Sequence, residues 1–201
     1  MPPTRTEPVV AGLVLGAGGS RRLGRPKQLL PYAGGTLLGH VVGVARECGF
    51  DQLVVAIGGW AAEVRAGVDL AGATVVVNEA YGEGCSSSIA AALGAVDPRC
   101  EVLVLMLGDQ PGVSAATVRA LLEGRGDAEL ALCAYDDGPG HPIAFARPLF
   151  GELSSLHGDR GVWRMVDRAG DAARRVPVPG AVPLDVDTEE DYAAVLAAGA
   201  P

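Results

Sequence analysis

Aromatic side chains are scarce in this chain, at 4% of 201 residues, and its 16 lysines and arginines are outnumbered by 24 acidic residues. The net charge of -8 argues against nucleic acid or an anionic membrane as partner, since both reward a basic surface. An acidic protein still holds a polyphosphate wherever backbone amides, a few cations and a metal gather locally. Cysteine is sparse too. Cys48, Cys85, Cys100 and Cys133 form no C-x-x-C pair, which argues against a disulfide framework or a zinc site and for small buried residues in a reducing compartment. No apolar run is long enough to span a bilayer, and Met1 to Pro8 is polar and proline-rich with no apolar signal core behind it. The expectation is a cytoplasmic protein whose residues 1–8 form a disordered tail.

What is abundant is aliphatic sequence in short runs. Hydrophobic residues make up 49% of the chain, enough for a real core in one domain of this length. Val9–Leu15, Leu53–Ile57, Thr74–Val77 and Val102–Leu107 read as strands buried on both faces. Helical spacing marks Leu37–Cys48, stopped by Gly49, and Ala61–Ala66, Ser87–Ala95 and Ala115–Leu122. This alternation predicts an α/β fold, a doubly wound, mostly parallel Rossmann-like sheet in a single domain over 1–201. In the last third, Glu129–Tyr135 and Ile143–Ala146 read as strands around the turn-rich Asp136–Gly140. Gly161–Arg168 reads as a helix and Val182–Val186 as a short strand. Thr188 is placed to cap a final helix through Ala197, with Asp191 as capping-box partner.

Leu15-Gly16-Ala17-Gly18-Gly19-Ser20-Arg21-Arg22-Leu23-Gly24-Arg25-Pro26-Lys27 follows the first strand, where open α/β sheets bind ligands. Glycines admit phosphate oxygens to the backbone amides, and the basic side chains balance their charge. The dinucleotide fingerprint G-x-G-x-x-G fails at Arg21, and the P-loop fails where Arg25-Pro26 replaces Lys-Ser/Thr. A flexible surface loop with scattered arginines is the bland alternative. Asp109, just past the Val102–Leu107 strand, points into the same crevice; it is either a Mg2+ ligand or a turn residue of Asp109-Gln110-Pro111-Gly112. Ser87 and Ser88 follow the third strand, as ligand contacts or as helix caps. Asp187 and Thr188 offer a carboxylate for a metal or an N-cap. No Cys-His or Ser-His constellation and no G-x-S-x-G elbow is visible.

The Leu-x-Ala-Gly-x-Ser-Arg-Arg-x-Gly pattern with Lys27 beyond it resembles the signature of nucleotidyltransferases that activate sugars and cofactors. The likeness is greatest to the MobA-like NTP transferases, the molybdenum cofactor cytidylyltransferases and their guanylyl-transferring cousins, and runs from Val10 to about Tyr192. It implies a GT-A-like fold in which Leu15, Gly16, Ala17, Gly18, Gly19 and Ser20 cradle the nucleotide while Arg22 and Lys27 hold the triphosphate. Asp109-Gln110-Pro111 and Asp185-Val186-Asp187-Thr188 resemble the family's metal motifs, which makes Asp109 and Asp187 the Mg2+ ligands and Asp185 a supporting residue. The Ser-rich loop implies base contacts from Ser87 and Ser88 and favours CTP over GTP. Gly140-His141-Pro142 and Gly158-Asp159-Arg160-Gly161 resemble acceptor-side elements, which implies acceptor contacts from His141 and Asp159. Three departures stand out: Glu189 in place of proline, Val162-Trp163 in place of Ala-Arg, and Gly16, which removes a methyl from the wall facing the base. The reaction implied is transfer of CMP to the terminal phosphate of a molybdopterin-type acceptor, with transient contact to a molybdoenzyme. Other phosphorylated acceptors, a non-catalytic cofactor chaperone and a dinucleotide-dependent oxidoreductase are the competing readings.

Overall fold

The computed structural model describes residues 8–199. The expected tail over 1–8 therefore lies, apart from Pro8, outside the described residues. Strand β1 (Val9–Gly16) runs through the middle of the sheet. It pairs in parallel with β4 (Gln52–Ile57) on one side and β6 (Cys100–Leu107) on the other. With β5 (Thr74–Val77), β7 (Leu130–Tyr135), β8 (Gly138–Ala146) and β9 (Arg174–Pro177) the order is β5-β4-β1-β6-β8-β7-β9. Only β8 runs against its neighbours. A small hairpin of β2 (Pro31–Tyr32) and β3 (Gly35–Thr36) stands apart.

Because successive side chains on a strand face opposite ways, the aliphatic runs feed two cores at once. Val104 and Met106 join one cluster while Leu103 and Leu105 join the other, and Val55 and Val54 divide likewise. The first core is closed by α1 (Leu37–Glu47), α2 (Ala61–Gly67) and α4 (Ala115–Arg125). The second is closed by α3 (Cys85–Leu93), α5 (Phe150–Ser154) and α6 (Gly161–Ala169). This is the doubly wound arrangement that the alternation of runs predicts. Cys100 and Cys133 are buried, Cys48 and Cys85 only half-buried, and all four are free thiols.

A third, smaller cluster matters more for the site. Leu30, Tyr32 and Leu37 pack on Val186 and on Val195 of α7 (Glu189–Ala198), tying the end of the chain to the segment after β1. The Tyr192 hydroxyl donates to the Pro31 carbonyl, and Arg25 forks onto Glu189 at 3.0 and 2.9 Å. The glutamate at position 189 thus has a partner of its own. Val182–Val186 is not a strand. It crosses the end of the sheet, held by single hydrogen bonds such as Val186 N–H to the Asp109 carbonyl (3.1 Å). The edge strand is instead Arg174–Pro177, whose exposed Arg-Arg pair carries no aliphatic signal. The turn before β8 shrinks to Asp136-Asp137, because Gly138–Gly140 enter the ladder. At Gly140 a Cβ would lie 2.9 Å from the Tyr135 ring.

The capping box at α7 forms as the sequence indicates. Thr188 Oγ1 accepts from Asp191 N–H (3.2 Å), and the Asp191 carboxylate accepts from Thr188 N–H (2.8 Å) and Asp187 N–H (3.2 Å). Replacing Thr188 with Ala removes half of this pair. It is expected to lower stability by about 1 kcal/mol, read as a lower urea midpoint with an unchanged m-value.

Candidate active site

At the carboxyl ends of β1 and β6 lies a cleft of about 480 Å³. Leu15, Gly16, Ala17, Gly18, Gly19, Ser20, Arg22, Lys27, Ser88, Asp109, His141, Asp159 and Asp187 all line it. Residues spread over most of the sequence therefore share one surface.

The glycine-rich loop is held open from behind. Gln28, buried at 3% exposure, donates from Nε2 to the carbonyls of Gly16 and Gly18 at 2.8 Å each. Ala17 O accepts from Gly59 N–H (3.2 Å), Gly19 O from Trp60 Nε1 (3.1 Å) and Ser20 O from Gly24 N–H (2.9 Å). With these carbonyls fixed by protein donors, the amide N–H groups are the backbone face left for an anion. Close approach explains two glycines. A Cβ at Gly58 would meet Ala17 O at 2.7 Å, and one at Gly108 would meet Leu15 O at 2.8 Å. The second contact brings the end of β6, and Asp109 with it, against the loop. A Cβ at Gly16 would face Leu38 at 3.0 Å. The missing methyl therefore points at the core and not, as the sequence reading had it, at a base.

The charges converge on Lys27. Its Nζ donates to Asp109 Oδ2 at 2.5 Å and to Asp187 Oδ1 at 2.8 Å, and Arg22 donates to Asp187 Oδ2 at 2.6 Å. Burial alone would lower the lysine pKa, but the Asp109 and Asp187 carboxylates outweigh it and raise it above the ordinary value. For Asp187, burial pulls upward and is outweighed by Lys27 and Arg22, so its carboxyl titrates below the usual range. Asp185 goes the other way, pushed up to about 6 by burial and then by the charges of Asp109 and Asp187.

Could this set hold a metal? Two carboxylates from distant parts of the chain already converge on one cationic atom, with a third beside them. Hard oxygen donors of that number suit Mg2+ or Mn2+ when phosphate oxygens and water complete the shell. Among the described residues no group of three or more metal-ligating side chains closes into a cage by itself. The donors fit a divalent cation held by Asp109 and Asp187.

The two serines part company. Ser88 lines the cleft and accepts from Asn78 Nδ2 (2.9 Å). Ser87 is not part of the lining. Its hydroxyl donates to the carbonyls of Ala80 (3.0 Å) and Gly84 (2.8 Å), and its N–H goes to Gly84 O. Ser87 therefore braces the loop, a correction to the expected base contact. Asp159 lines the cleft, with Oδ1 accepting from Cys85 N–H at 3.0 Å. His141 lies at the far wall, 6% exposed, with its ring edge-on to Trp163 at 5.5 Å. The sequence reading missed Gln28, Tyr81 and Trp163. Gln28 beside Lys27 carried no separate signal, while Trp163 was noticed only as a departure.

The MobA-like NTP transferase domain matches residues 12–174. Nicotine blue oxidoreductase of Paenarthrobacter nicotinovorans is 36% identical over 165 residues, 77% of this chain and 79% of that protein. The bifunctional protein GlmU of Burkholderia thailandensis is 40% identical over 116 residues, 58% of this chain, and the chain spans only 25% of its length. The crystal structure of a Mycobacterium tuberculosis Rv0371c homologue from Mycobacterium sp. strain JC1 superposes with TM-score 0.89 at 51% identity, over 94% of this chain and 96% of that one. Rv0371c of M. tuberculosis H37Rv in complex with manganese gives TM-score 0.85 at 47% identity, over 94% and 98%.

The imidazole of His141 offers a pH test. Burial lowers its pKa from 6.5 to about 4, so between those values the unfolded chain binds a proton that the folded one refuses. Its contribution to stability is whole above about pH 6.5 and lost as pH falls towards 4, by up to about 3 kcal/mol. Denaturation of wild type and His141→Asn at pH 7.5, 6 and 5 should show a shallower acid loss in the variant.

Proposed function

Because the chain belongs to the MobA-like NTP transferase family, we propose that it transfers CMP from CTP to the terminal phosphate of a molybdopterin-type acceptor and releases pyrophosphate. The observation that carries this reading is the convergence of Lys27, Asp109 and Asp187 beside the pinned glycine-rich loop. An acceptor phosphate is already ionised at neutral pH, so the reaction needs positioning and charge neutralisation rather than a general base. An oxygen of that phosphate attacks the α-phosphorus in line and forms the new P–O bond. The bond from the α-phosphorus to the bridging oxygen breaks, and pyrophosphate leaves with the electron pair. Lys27, Arg22 and the loop amides hold the triphosphate and stabilise the charge on the departing group. Asp109 and Asp187 would hold Mg2+, which supplies electrostatic stabilisation of the phosphoryl oxygens when bound. The complex of Rv0371c with manganese supports a divalent metal without choosing between the two ions.

Ser88, held by Asn78 Nδ2, is the serine of this loop that faces the cleft, and the Ser-rich loop favours CTP, with GTP the nearest rival donor. The four free thiols fit the reducing cytoplasm, and a molybdoenzyme would receive the product by transient contact. Among the described residues no helix is long and apolar enough to cross a membrane.

One observation favours a second reading. The relative with 36% identity is an oxidoreductase by name, although the dinucleotide fingerprint fails here. The assay that separates the readings measures pyrophosphate from CTP, GTP, ATP and UTP with Mg2+ and molybdenum-loaded molybdopterin, alongside oxidation of a reduced nicotinamide dinucleotide. Acceptor-dependent pyrophosphate from CTP is the expected result. Asp109→Ala should abolish turnover while preserving the fold, and Lys27→Ala should lower kcat by about 100-fold or more. Near-wild-type rates in Asp109→Ala would remove that residue from the mechanism.

A further inference from the structure

Strand order divides the cleft into two unlike halves. Leu15 of β1 pairs with Leu107 of β6, and Leu105 of β6 pairs with Ile143 of β8. Asp109 therefore stands between the glycine-rich loop on one side and His141, at the mouth of β8, on the other. The lysine and arginines of the lining, Arg21, Arg22 and Lys27, all come from the loop side. The β8 side is walled by Leu105, Val162, Trp163 and His141, with Asp159 at its edge. Trp163 is half-buried, packed on one flank against the second core and open to the cleft on the other. His141 meets the tryptophan at 83° between ring planes, an edge-to-face contact that fixes both rings.

We infer that Trp163, set by His141, forms an aromatic wall that receives a flat heterocyclic acceptor on the β8 side of Asp109. The inference rests on the transferase reading for the word acceptor, but the wall itself does not. A polyol phosphate needs a polar partner for each hydroxyl, and a wall that is aliphatic and aromatic apart from Asp159 leaves most of those groups desolvated and unpaired. A fused heterocycle instead stacks its face on the indole. The triphosphate is kept from this half by the absence of lysine or arginine in its wall. With the donor on the loop side and the heterocycle on the β8 side, the reacting phosphates meet at Asp109.

The test uses 6-hydroxymethylpterin, which lacks a phosphate and cannot react, titrated calorimetrically into the full chain. Wild type and Trp163→Phe should bind it, while Trp163→Ala should bind roughly ten- to a hundredfold more weakly. The Kd for CTP should stay within about twofold in both variants. Glucose 1-phosphate, the polyol control, should not show this dependence on Trp163. Equal pterin binding by wild type and Trp163→Ala, or no pterin binding by wild type, would overturn the inference. So would a parallel loss of CTP binding, which would assign the indole to the donor. Failure of the transferase reading looks different: pterin binding that depends on Trp163 with no pyrophosphate released leaves the wall standing and removes the reaction. Pyrophosphate release by Trp163→Ala with an unchanged acceptor KM does the reverse.

Discussion

The ammonium of Lys27 between Asp109 and Asp187 is the contact on which the rest of the arrangement depends. It joins the segment after β1, the end of β6 and the chain leading into α7, which are 82 and 160 residues away from the lysine. The lysine side chain is only 12% exposed and that of Asp109 20%, so the pair is shielded from solvent screening far better than a surface bridge. Removing one member of such a cluster costs more than the net worth of the pair, because the charge left behind is stranded. Asp185 shows the cost of gathering these groups: burial, and then the neighbouring charges of Asp109 and Asp187, push its carboxyl up to about 6.

That contact exists only because apolar packing brings its members together. Val186 and Val195 seat on Leu30, Tyr32 and Leu37, which lays the stretch 182–188 across the sheet end and delivers Asp187. Val186 N–H to Asp109 O links the backbones of the two acidic motifs directly. Gly108 lets β6 end flush against Leu15. Gln28, next to the lysine, anchors the glycine-rich loop by two carbonyls. Hydrophobic burial thus sets the coarse position, and a few hydrogen bonds set the fine one. The capping box at Thr188 serves both, since Asp191 also accepts from Asp187 N–H.

Much of this was legible in the sequence because the signals were local. Aliphatic runs marked β1, β4, β5 and β6 to within two residues, although β5 lies at the sheet edge and is only partly covered, not buried on both faces as its composition suggests. Gly49 and Thr188 marked helix ends through capping chemistry alone. What failed was the part decided by tertiary context. Val182–Val186 has strand composition, yet lies across the sheet end where no strand is available to pair with it. Arg174–Pro177 looks like a loop and pairs with β7 because an edge was free. At the site, the residue types in the glycine-rich loop announced an anion-binding surface, and Asp109, Asp187 and Lys27 do meet. Side-chain direction was beyond reach of sequence. Ser87 turned into its own loop, Gly16 faces Leu38, and Trp163 is aimed into the cleft by the edge-on ring of His141, a residue 22 positions away.

The electrostatics of the cleft also constrain how it fills. Its lining carries four carboxylates, Asp109, Asp159, Asp185 and Asp187, against three cations, Arg21, Arg22 and Lys27. A triphosphate, with about four negative charges, would enter a cleft that is already slightly acidic, and the loop amides supply only partial charges against it. The cations that would meet it are partly committed, Lys27 to two carboxylates and Arg22 to one. A divalent cation resolves both problems at once. Asp109 and Asp187 would hold it and it would supply positive charge there, while Lys27 and Arg22, which now pair with these carboxylates, face the side where the phosphates would lie. No cage of protein ligands waits for it among the described residues. Under the transferase reading, Lys27 is the group that balances Asp109 and Asp187 in the cleft.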